Sequence, residues 1–275
     1  MTLKTAPRAL LASLFDAAVA AAQAERTVAA NLPDRPKGRT IVIGAGKGSA
    51  QMARAFEQAW DGPLQGVVVT RYGFGVPCER IEIIEAAHPV PDAAGLRATA
   101  RLFDAVAGLT EDDLVVALIS GGGSALLPAP PEGMTLDDEI AVNRALLASG
   151  APIAAMNTVR KHLSTVKGGR LAAAAFPARV VTLVISDIPG DNPALVASGP
   201  TVPDEASLDD ARAIVRQYNL ALPPAALRHL SLDAARAPSP GDPGFARNTV
   251  RIIASAAVSL DAAAAEARRQ GVPSS

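Results

Sequence analysis

Short runs of aliphatic and β-branched residues recur along the chain and alternate with longer segments whose apolar residues fall at helical spacing. Short runs bounded by turn-forming or charged residues are typical of buried strands. The pattern predicts strands at Thr40–Ile43, Gly66–Thr70, Ile81–Ala86, Leu114–Ile119, Val180–Ile185 and Val250–Ala254. It predicts helices at Ala6–Ala22, Ser49–Trp60, Asp92–Gly108, from an N-cap at Thr135 to Ala148, at Asn157–Ala175 with a break at Gly168–Gly169, and at Ser207–Tyr218 and Leu260–Gln270.

Strands that alternate with helices form a mainly parallel sheet covered by helices on both faces. The expected fold class is therefore α/β, a three-layer α/β/α domain. Right-handed crossovers place the carboxyl ends of all parallel strands along one edge. Because the glycine-rich segments follow predicted strands, we expect them to meet at that edge, where α/β sheets bind ligands.

The most informative stretch is Leu114–Leu127. It opens with an uncharged predicted strand, which is followed by Ser120, three glycines and Ser124. Because glycine enters positive φ freely, Gly121–Gly123 can turn several backbone N–H groups toward one point. Such a concavity at the end of a sheet strand suits an anion, above all a phosphate. The alternative is a tight strand-to-helix turn without a ligand.

A second glycine-rich turn, Gly44–Ser49, follows the first predicted strand and carries Lys47. It departs from the dinucleotide fingerprint, because Ser49 replaces the third glycine and Thr70–Arg71 stands where the ribose-binding acid should be. It is also too short for the phosphate loop of nucleoside triphosphatases. Its amides and the Lys47 ammonium suit a phosphoryl oxygen. The alternative is a solvated lysine beside a packing turn.

A polar cluster lies in the predicted helix Asn157–Ala175. The residues expected on one face are Asn157, Arg160, Lys161 and Ser164, with Lys167 close to them. Arginine can bind a carboxylate with two hydrogen bonds, and lysines supply positive charge. The helix dipole and simple solvation are the alternative explanations of such a stripe. We expect His162 to be structural and His88 to be a neighbour of a turn or helix cap.

Two acids, Asp187 and Asp191, follow the fifth predicted strand. A magnesium ion carried by a nucleotide needs one or two such oxygens and keeps its waters; Asp187 could equally cap a turn. The same loop continues to Ser198 and Gly199, and loops of this length inside compact domains are more often functional than not. Together these segments describe a cleft suited to a phosphorylated ligand and a small anionic substrate.

Charge and composition exclude several function classes. The 26 basic and 27 acidic residues nearly cancel, and aromatic residues make up 3%, so no nucleic-acid or membrane surface is expected. Cys78 is the single cysteine, which excludes an internal disulfide and a Cys-based zinc cluster and fits a reducing cytosol. No apolar run reaches the roughly 18 residues of a membrane-spanning helix. We therefore expect a cytoplasmic protein.

The motifs also occur in a familiar order. GAGKGSAQMA, VVVTRYG, HPVPDAAG, SGGGSALLPAP, MNTVRKHLSTVKGGRLA and SDIPGDNPALVASGPTVPD resemble the amino-terminal domain of the class II glycerate 2-kinases. These proteins are also described as the MOFRL-domain family and are sometimes labelled hydroxypyruvate reductases. The resemblance, from about Ile41 to Asp204, implies a Rossmann-like domain of about six strands. It also implies transfer of the ATP γ-phosphoryl group to the 2-hydroxyl of D-glycerate, giving 2-phosphoglycerate, with Mg²⁺.

The resemblance implies roles for matching residues. Lys47 and Arg160 would stabilise the transferred phosphoryl group. Asp187 or Asp191 would hold magnesium or accept the hydroxyl proton. The residues expected to bind substrate or nucleotide are Gly44, Gly46, Ser120, Gly121, Gly122, Gly123, Ser124, Asn157, Lys161, Lys167, Ser198 and Gly199. The expected partners are D-glycerate and ATP. A homodimer is one assembly that the resemblance leaves open.

The resemblance sets two expectations for the whole chain. Residues 1–255 are expected to form the amino-terminal domain, and residues 256–275 to begin the connection to a second, MOFRL-type domain that is truncated here. We expect the chain to fold but to phosphorylate glycerate poorly alone; a turnover of roughly 1–100 per second would contradict this. Two alternatives stay open: an NAD(P)H-dependent hydroxypyruvate reductase, and a phosphate-ligand-binding domain without catalysis.

Overall fold

A parallel β-sheet forms the centre of the computed structural model, which describes residues 6–273. Its strands are β1 (Thr40–Ala45), β2 (Gln65–Arg71), β3 (Ile81–Ala86), β4 (Leu114–Ser120), β5 (Arg179–Ile185) and β6 (Thr249–Ala254). Their order across the sheet is β3-β2-β1-β4-β5-β6, and each neighbouring pair is parallel. The order reverses between β1 and β4, and sheets of this kind open a ligand crevice at such a switch point.

Helices connect the strands and cover both faces of the sheet. They are α1 (Pro7–Ala22), α2 (Ala24–Ala29), α3 (Ser49–Ala59), α4 (Ala93–Val106), α5 (Gly123–Leu126), α6 (Leu136–Ala148), α7 (Ile153–His162), α8 (Arg170–Ala174), α9 (Leu208–Gln217), α10 (Pro224–Leu230) and α11 (Ala256–Arg269). The predicted three-layer α/β/α fold with six parallel strands is confirmed. Within the described residues, no helix is both long and apolar enough to cross a membrane.

A hydrophobic cluster lies on each face of the sheet. Ile43 and Leu102 of α4 belong to one cluster, and Val42 and Phe56 of α3 belong to the other. Every residue of β4 is buried, because this strand lies between β1 and β5 and is covered on both faces. That position explains why its sequence is continuously apolar.

A third cluster joins α6, α7, α9 and α10 into a separate group of helices, with Leu146 and Val159 among its buried members. The predicted N-cap of α6 is confirmed, since Thr135 and Asp138 form a capping box in which each side chain bonds the other's backbone N–H. α7 also packs against the short 3₁₀ turn Val196–Ser198. The helical group therefore reaches the long loop that follows β5.

The predicted break at Gly168–Gly169 in the helix Asn157–Ala175 is confirmed, but the interruption is longer than predicted, because α7 ends at His162 and α8 begins only at Arg170. Between them, the Ser164 hydroxyl accepts the Lys167 N–H at 3.4 Å. Gly168–Gly169 then has φ values of +65° and +84°, which a right-handed helix cannot accommodate. Ser164 and Lys167 therefore do not lie on the helical face that carries Asn157.

α11 begins earlier than its predicted start at Leu260. The hydroxyl of Ser255 accepts the N–H of Val258 at 3.4 Å and caps the helix. α11 packs against α1, and Gln270 Nε2 donates to Ser13 Oγ at 2.7 Å. The segment after residue 255 is thus in contact with the first helix, and the domain division at that residue stays a prediction.

Candidate active site

The turns after β1 and β4 interlock at the switch point. The Gly48 N–H donates to Ser120 Oγ at 3.0 Å, and the Lys47 N–H donates to the Gly121 carbonyl at 2.8 Å. A Cβ at Gly46 would overlap the Ser120 side chain, so only glycine permits this approach. The two turns form one unit that fixes the position of Lys47. The Ser120 hydroxyl is used to join the two turns.

Two glycines of the turn after β4 leave room for different neighbours. A Cβ at Gly121 would overlap the carboxylate of Asp187. A Cβ at Gly122 would lie 3.0 Å from both His88 Nε2 and Lys47 Cγ, and this glycine has a left-handed φ of +85°. The turn therefore forms a narrow floor that Lys47, His88 and Asp187 contact.

Lys47 and Asp187 form an ion pair beside this floor. Lys47 Nζ donates to Asp187 Oδ2 at 3.3 Å, and the side chains are 42% and 48% exposed. An ion pair this exposed contributes little to folding. A ligand arriving from solvent can therefore reach the ammonium and the carboxylate at small cost to stability.

His88 is a member of the site that the sequence reasoning missed. Its pKa is lowered from the ordinary value, first by burial and then by the positive charges of Lys47 and Arg71, while Asp187 opposes the shift. Burial and these positive charges therefore favour the neutral imidazole. The available signal was its position: HPVPD follows β3 directly, at the same edge of the sheet as the two glycine-rich turns.

The glycine turn also has unused hydrogen-bond donors. The backbone N–H groups of Gly122, Gly123 and Ser124 donate to no other residue within the described part of the chain. Backbone donors near a protein interior require an acceptor from water or a ligand. Three consecutive amides beside the Lys47 ammonium match the oxygens of a phosphate group.

A chain of side-chain hydrogen bonds connects the turn to α7. The Ser124 and Ser198 hydroxyls are 2.7 Å apart, and Ser198 donates to Asn157 Oδ1 at 3.1 Å. Arg160 Nη1 donates to the same Asn157 oxygen at 3.2 Å, and Arg160 Nε donates to Asn143 Oδ1 at 2.8 Å. Arg160 thus reaches the glycine turn through two intervening side chains rather than by direct contact.

The loop around Ser198 has a strained backbone, and the turn Gly168–Gly169, which precedes α8, holds it in that shape. Ala197, Ser198 and Gly199 all have left-handed φ values, between +53° and +60°, which costs energy for the two non-glycine residues. The N–H groups of Gly168 and Gly169 donate to the carbonyls of Ser198 and Gly199 at 3.1 and 2.7 Å. The glycine pair of KGGR therefore shapes the loop that positions Ser198.

Comparison with known proteins identifies the family. The family described as a domain of unknown function, DUF4147, matches residues 10–231. A protein of Thermotoga maritima named D-glycerate 2-kinase is 44% identical over 71% of this chain and 48% of its own length. The chain belongs to the class II glycerate kinase family. A relative from Agrobacterium vitis, provisionally named hydroxypyruvate reductase, is 54% identical over 96% of this chain and 60% of its own length.

Solved structures agree with this assignment. A crystal structure of glycerate kinase from Thermotoga maritima has a TM-score of 0.86 at 36% identity, covering 95% of this chain and 62% of that one. A protein of Pyrococcus horikoshii has a TM-score of 0.86 at 35% identity, covering 99% and 65%. The chain thus spans between 48% and 65% of the length of these two relatives and two solved structures.

The two lysines of the predicted polar stripe do not face the glycine turn. Lys161 is fully buried and its ammonium pairs with Asp204. Lys167 Nζ is bound by Glu139 Oε1 at 2.8 Å and by the Leu127 carbonyl at 2.9 Å. In this structure both ammonium groups are used to join segments of the fold, so neither is free to bind a ligand.

The two predicted acids differ in their surroundings. Asp187 contacts Lys47 and lies against Gly121. Asp191 has a left-handed φ of +51°, and among the described contacts its carboxylate reaches neither residue. The described residues contain no group of three His, Cys, Asp or Glu side chains placed to hold a metal ion. A resident metal site built from protein ligands alone is therefore not found among them.

Proposed function

We propose that this chain provides the phosphate-binding edge of an ATP-dependent glycerate 2-kinase. The reaction transfers the γ-phosphoryl group of ATP to the 2-hydroxyl of D-glycerate and gives 2-phosphoglycerate. The observation that carries the proposal is the convergence of Lys47, Asp187 and the unpaired amides of the glycine turn. Phosphoryl transfer depends mostly on positioning and electrostatic stabilisation, and these groups supply both. The names of the relatives support the choice of acceptor.

In this proposal the phosphate oxygens accept hydrogen bonds from the amides of Gly122, Gly123 and Ser124. The Lys47 ammonium stabilises the charge that develops on the transferred group. Arg160 adds positive charge from behind the Ser198 loop, where Asn143 and Asn157 hold its guanidinium.

Asp187 is the acid we assign to the reacting centre, because it contacts both Lys47 and the glycine turn. Its half-exposed carboxylate fits Mg²⁺ as one oxygen ligand, since magnesium is held by one or two carboxylates, waters and substrate phosphates. When bound, the ion would neutralise phosphate charge. Without that role, Asp187 would accept the hydroxyl proton of the substrate. Asp191 stays a secondary proposal for either role.

A nicotinamide-dependent hydroxypyruvate reductase is the second candidate, favoured by the name of the Agrobacterium vitis relatives. The site argues against it. Ser49 is fully buried at the third position of the fingerprint and bonds Ser120 at 3.1 Å. β2 ends in Thr70 and Arg71, so the acid that binds an NAD ribose is missing.

Calorimetric titration of this chain with MgATP, D-glycerate and NADH separates the candidates. We expect binding of MgATP and D-glycerate and none of NADH. A coupled assay, with separation of 2- and 3-phosphoglycerate, then tests turnover. NADH binding without ATP binding would favour the reductase. Because we expect poor turnover by the chain alone, the assay is repeated with the carboxyl-terminal half of a relative supplied. MgATP binding with no product even then would favour a binding domain without catalysis.

A further inference from the structure

Arg71, the last residue of β2, is a half-buried arginine that the proposed mechanism leaves unused. Its guanidinium carbon lies 3.6 Å from the centroid of the Phe74 ring. Its Nε is buried without a hydrogen-bond partner, and within residues 6–273 the guanidinium forms no ion pair. A planar cation held by stacking, with no protein acceptor among the described residues, keeps its two Nη groups available for a carboxylate or phosphate.

The loop that carries the stacking partner is firmly held. The N–H groups of Phe74 and Gly75 both donate to Glu85 Oε1, at 3.1 and 2.7 Å. The hydroxyl of Tyr72 donates to Asp92 Oδ2 at 2.8 Å. These bonds fix the ring against which the guanidinium lies, so its orientation is set before any ligand arrives.

Arg71 also lies on the same edge as the candidate active site. It pairs in register with Ala86, two residues before His88, whose Nε2 lies beside Gly122. Both Arg71 and Lys47 lower the pKa of His88, after the larger effect of burial. From β3 to β5 the edge therefore presents His88, Arg71 and Lys47 and then the glycine turn and Asp187.

We propose that Arg71 binds an anionic group of the ligand on the β2 side of the cleft, across the glycine turn from Asp187. The inference deepens the proposed function, on which it rests, by adding a second ligand-binding cation to the same site. The recognised chemistry is a flat or tetrahedral oxyanion that can take two hydrogen bonds from a guanidinium. The carboxylate of a hydroxy acid and a phosphate of a nucleotide both have it.

A third source of the same chemistry exists. In dinucleotide-binding sheets an arginine near the end of the second strand accepts the 2′-phosphate of NADP. Arg71 occupies that position in this sheet. The experiment must therefore distinguish three anions: D-glycerate, MgATP and NADPH.

The test measures the Kd of each of these three ligands by calorimetry for the wild-type chain and for Arg71→Gln and Arg71→Lys. Arg144→Gln, which removes the same charge from an exposed position of α6, is the matched control. We expect Arg71→Gln to weaken one ligand by about tenfold or more, Arg71→Lys to weaken it less, and Arg144→Gln to leave all three unchanged.

The ligand that is weakened identifies the anion. Loss of D-glycerate or MgATP affinity supports the inference together with the proposed kinase. Loss of NADPH affinity, with no binding of MgATP by the wild type, supports the role of Arg71 and overturns the kinase. If the wild-type chain binds MgATP or D-glycerate and Arg71→Gln binds every ligand equally well, the inference is overturned and the kinase stands.

Each variant is checked for folding by circular dichroism before titration. If Arg71→Gln does not fold, Arg71→Lys, which keeps the charge, decides between the outcomes. Unchanged affinity of a folded Arg71→Lys for every ligand then overturns the inference, because a lysine cannot reproduce the two hydrogen bonds of a guanidinium.

Discussion

The ammonium of Lys167 lies 2.8 Å from Glu139 Oε1, and the side chains are only 2% and 7% exposed. Lys167 also donates to the Leu127 carbonyl, and Glu139 Oε2 accepts the Ala129 N–H at 3.0 Å. This buried pair joins α6, the segment after the glycine turn and the loop between α7 and α8. Both partners are buried and each also bonds a backbone group, so the pair contributes to the fold.

Lys167→Met leaves the Glu139 carboxylate buried with one backbone donor. Breaking a buried ion pair from one side typically costs about 3–5 kcal/mol, and we expect that loss in the free energy of unfolding measured with urea. Lys37→Met, at an exposed position, is the control and should change stability little. A loss below about 1 kcal/mol at Lys167 would contradict the structural role.

Lys47→Ala tests the proposed charge stabilisation. Removal of one such donor typically lowers the rate about 10²–10³-fold, and we expect that loss in kcat wherever turnover is measurable, with weaker MgATP binding in the chain as it stands. Because the Lys47–Asp187 pair is half exposed, the unfolding free energy should stay nearly constant. Unchanged kcat and unchanged MgATP affinity together would remove Lys47 from the mechanism.

Gly122→Ala tests the floor of the site against a matched glycine. Gly122 and Gly133 have similar φ values, +85° and +80°, but a Cβ at Gly133 would meet nothing within 4 Å. Both alanine variants should lose about 1–2 kcal/mol to the left-handed backbone. Only Gly122→Ala should also weaken MgATP binding, because its methyl group would lie against His88 and Lys47. Equal binding by the two variants would show that the crowding is harmless.

His162 should make folding sensitive to mild acid. Burial lowers its pKa below the model-peptide value of 6.5. Nδ1 donates to the Thr158 carbonyl at 2.8 Å, while Nε2 is buried without a partner. Since the folded state binds the proton less well than the unfolded state, its stabilising contribution is present above pH 6.5 and is lost as the pH falls below it.

The measurement is the unfolding free energy between pH 7.5 and pH 5 for the wild-type chain and His162→Gln. We expect the wild-type value to fall and the variant to show a shallower slope. His229→Gln, at a half-exposed site whose pKa is also lowered, provides the comparison and should remove less of the slope. Parallel curves for wild type and His162→Gln would contradict the assignment.

The sheet was predictable because its signal is local. Each strand is a run of aliphatic residues that pack on one or both faces, and β3 was predicted with its observed bounds, Ile81–Ala86. The position of Lys47 beside the glycine turn follows from strand order, once both turns are placed at carboxyl ends. These features needed only hydrophobic periodicity and the right-handed crossover.

The roles of the basic residues were less accessible. Helical spacing placed Lys161 and Lys167 on one stripe, but their partners, Asp204 and Glu139, come from distant parts of the chain. No residue close in sequence to either lysine indicates such a partner. His88 was missed for the opposite reason, because its neighbours Lys47 and Gly122 meet it only in the folded sheet.

The hydrogen-bond chain from Arg160 to Ser124 also fixes the direction of its protons. Asn157 Oδ1 can only accept, so the Ser198 hydroxyl donates its hydrogen to that oxygen. The Ser124 hydroxyl must then donate its hydrogen to Ser198 Oγ. The Ser124 oxygen therefore offers lone pairs toward the glycine turn, where the neighbouring amides offer hydrogens. If the Asn157 amide were rotated so that its NH2 group faced Ser198, the donor and acceptor roles of the two serine hydroxyls would be reversed. The orientation of one amide in α7 therefore decides whether the Ser124 hydroxyl, after β4, donates or accepts.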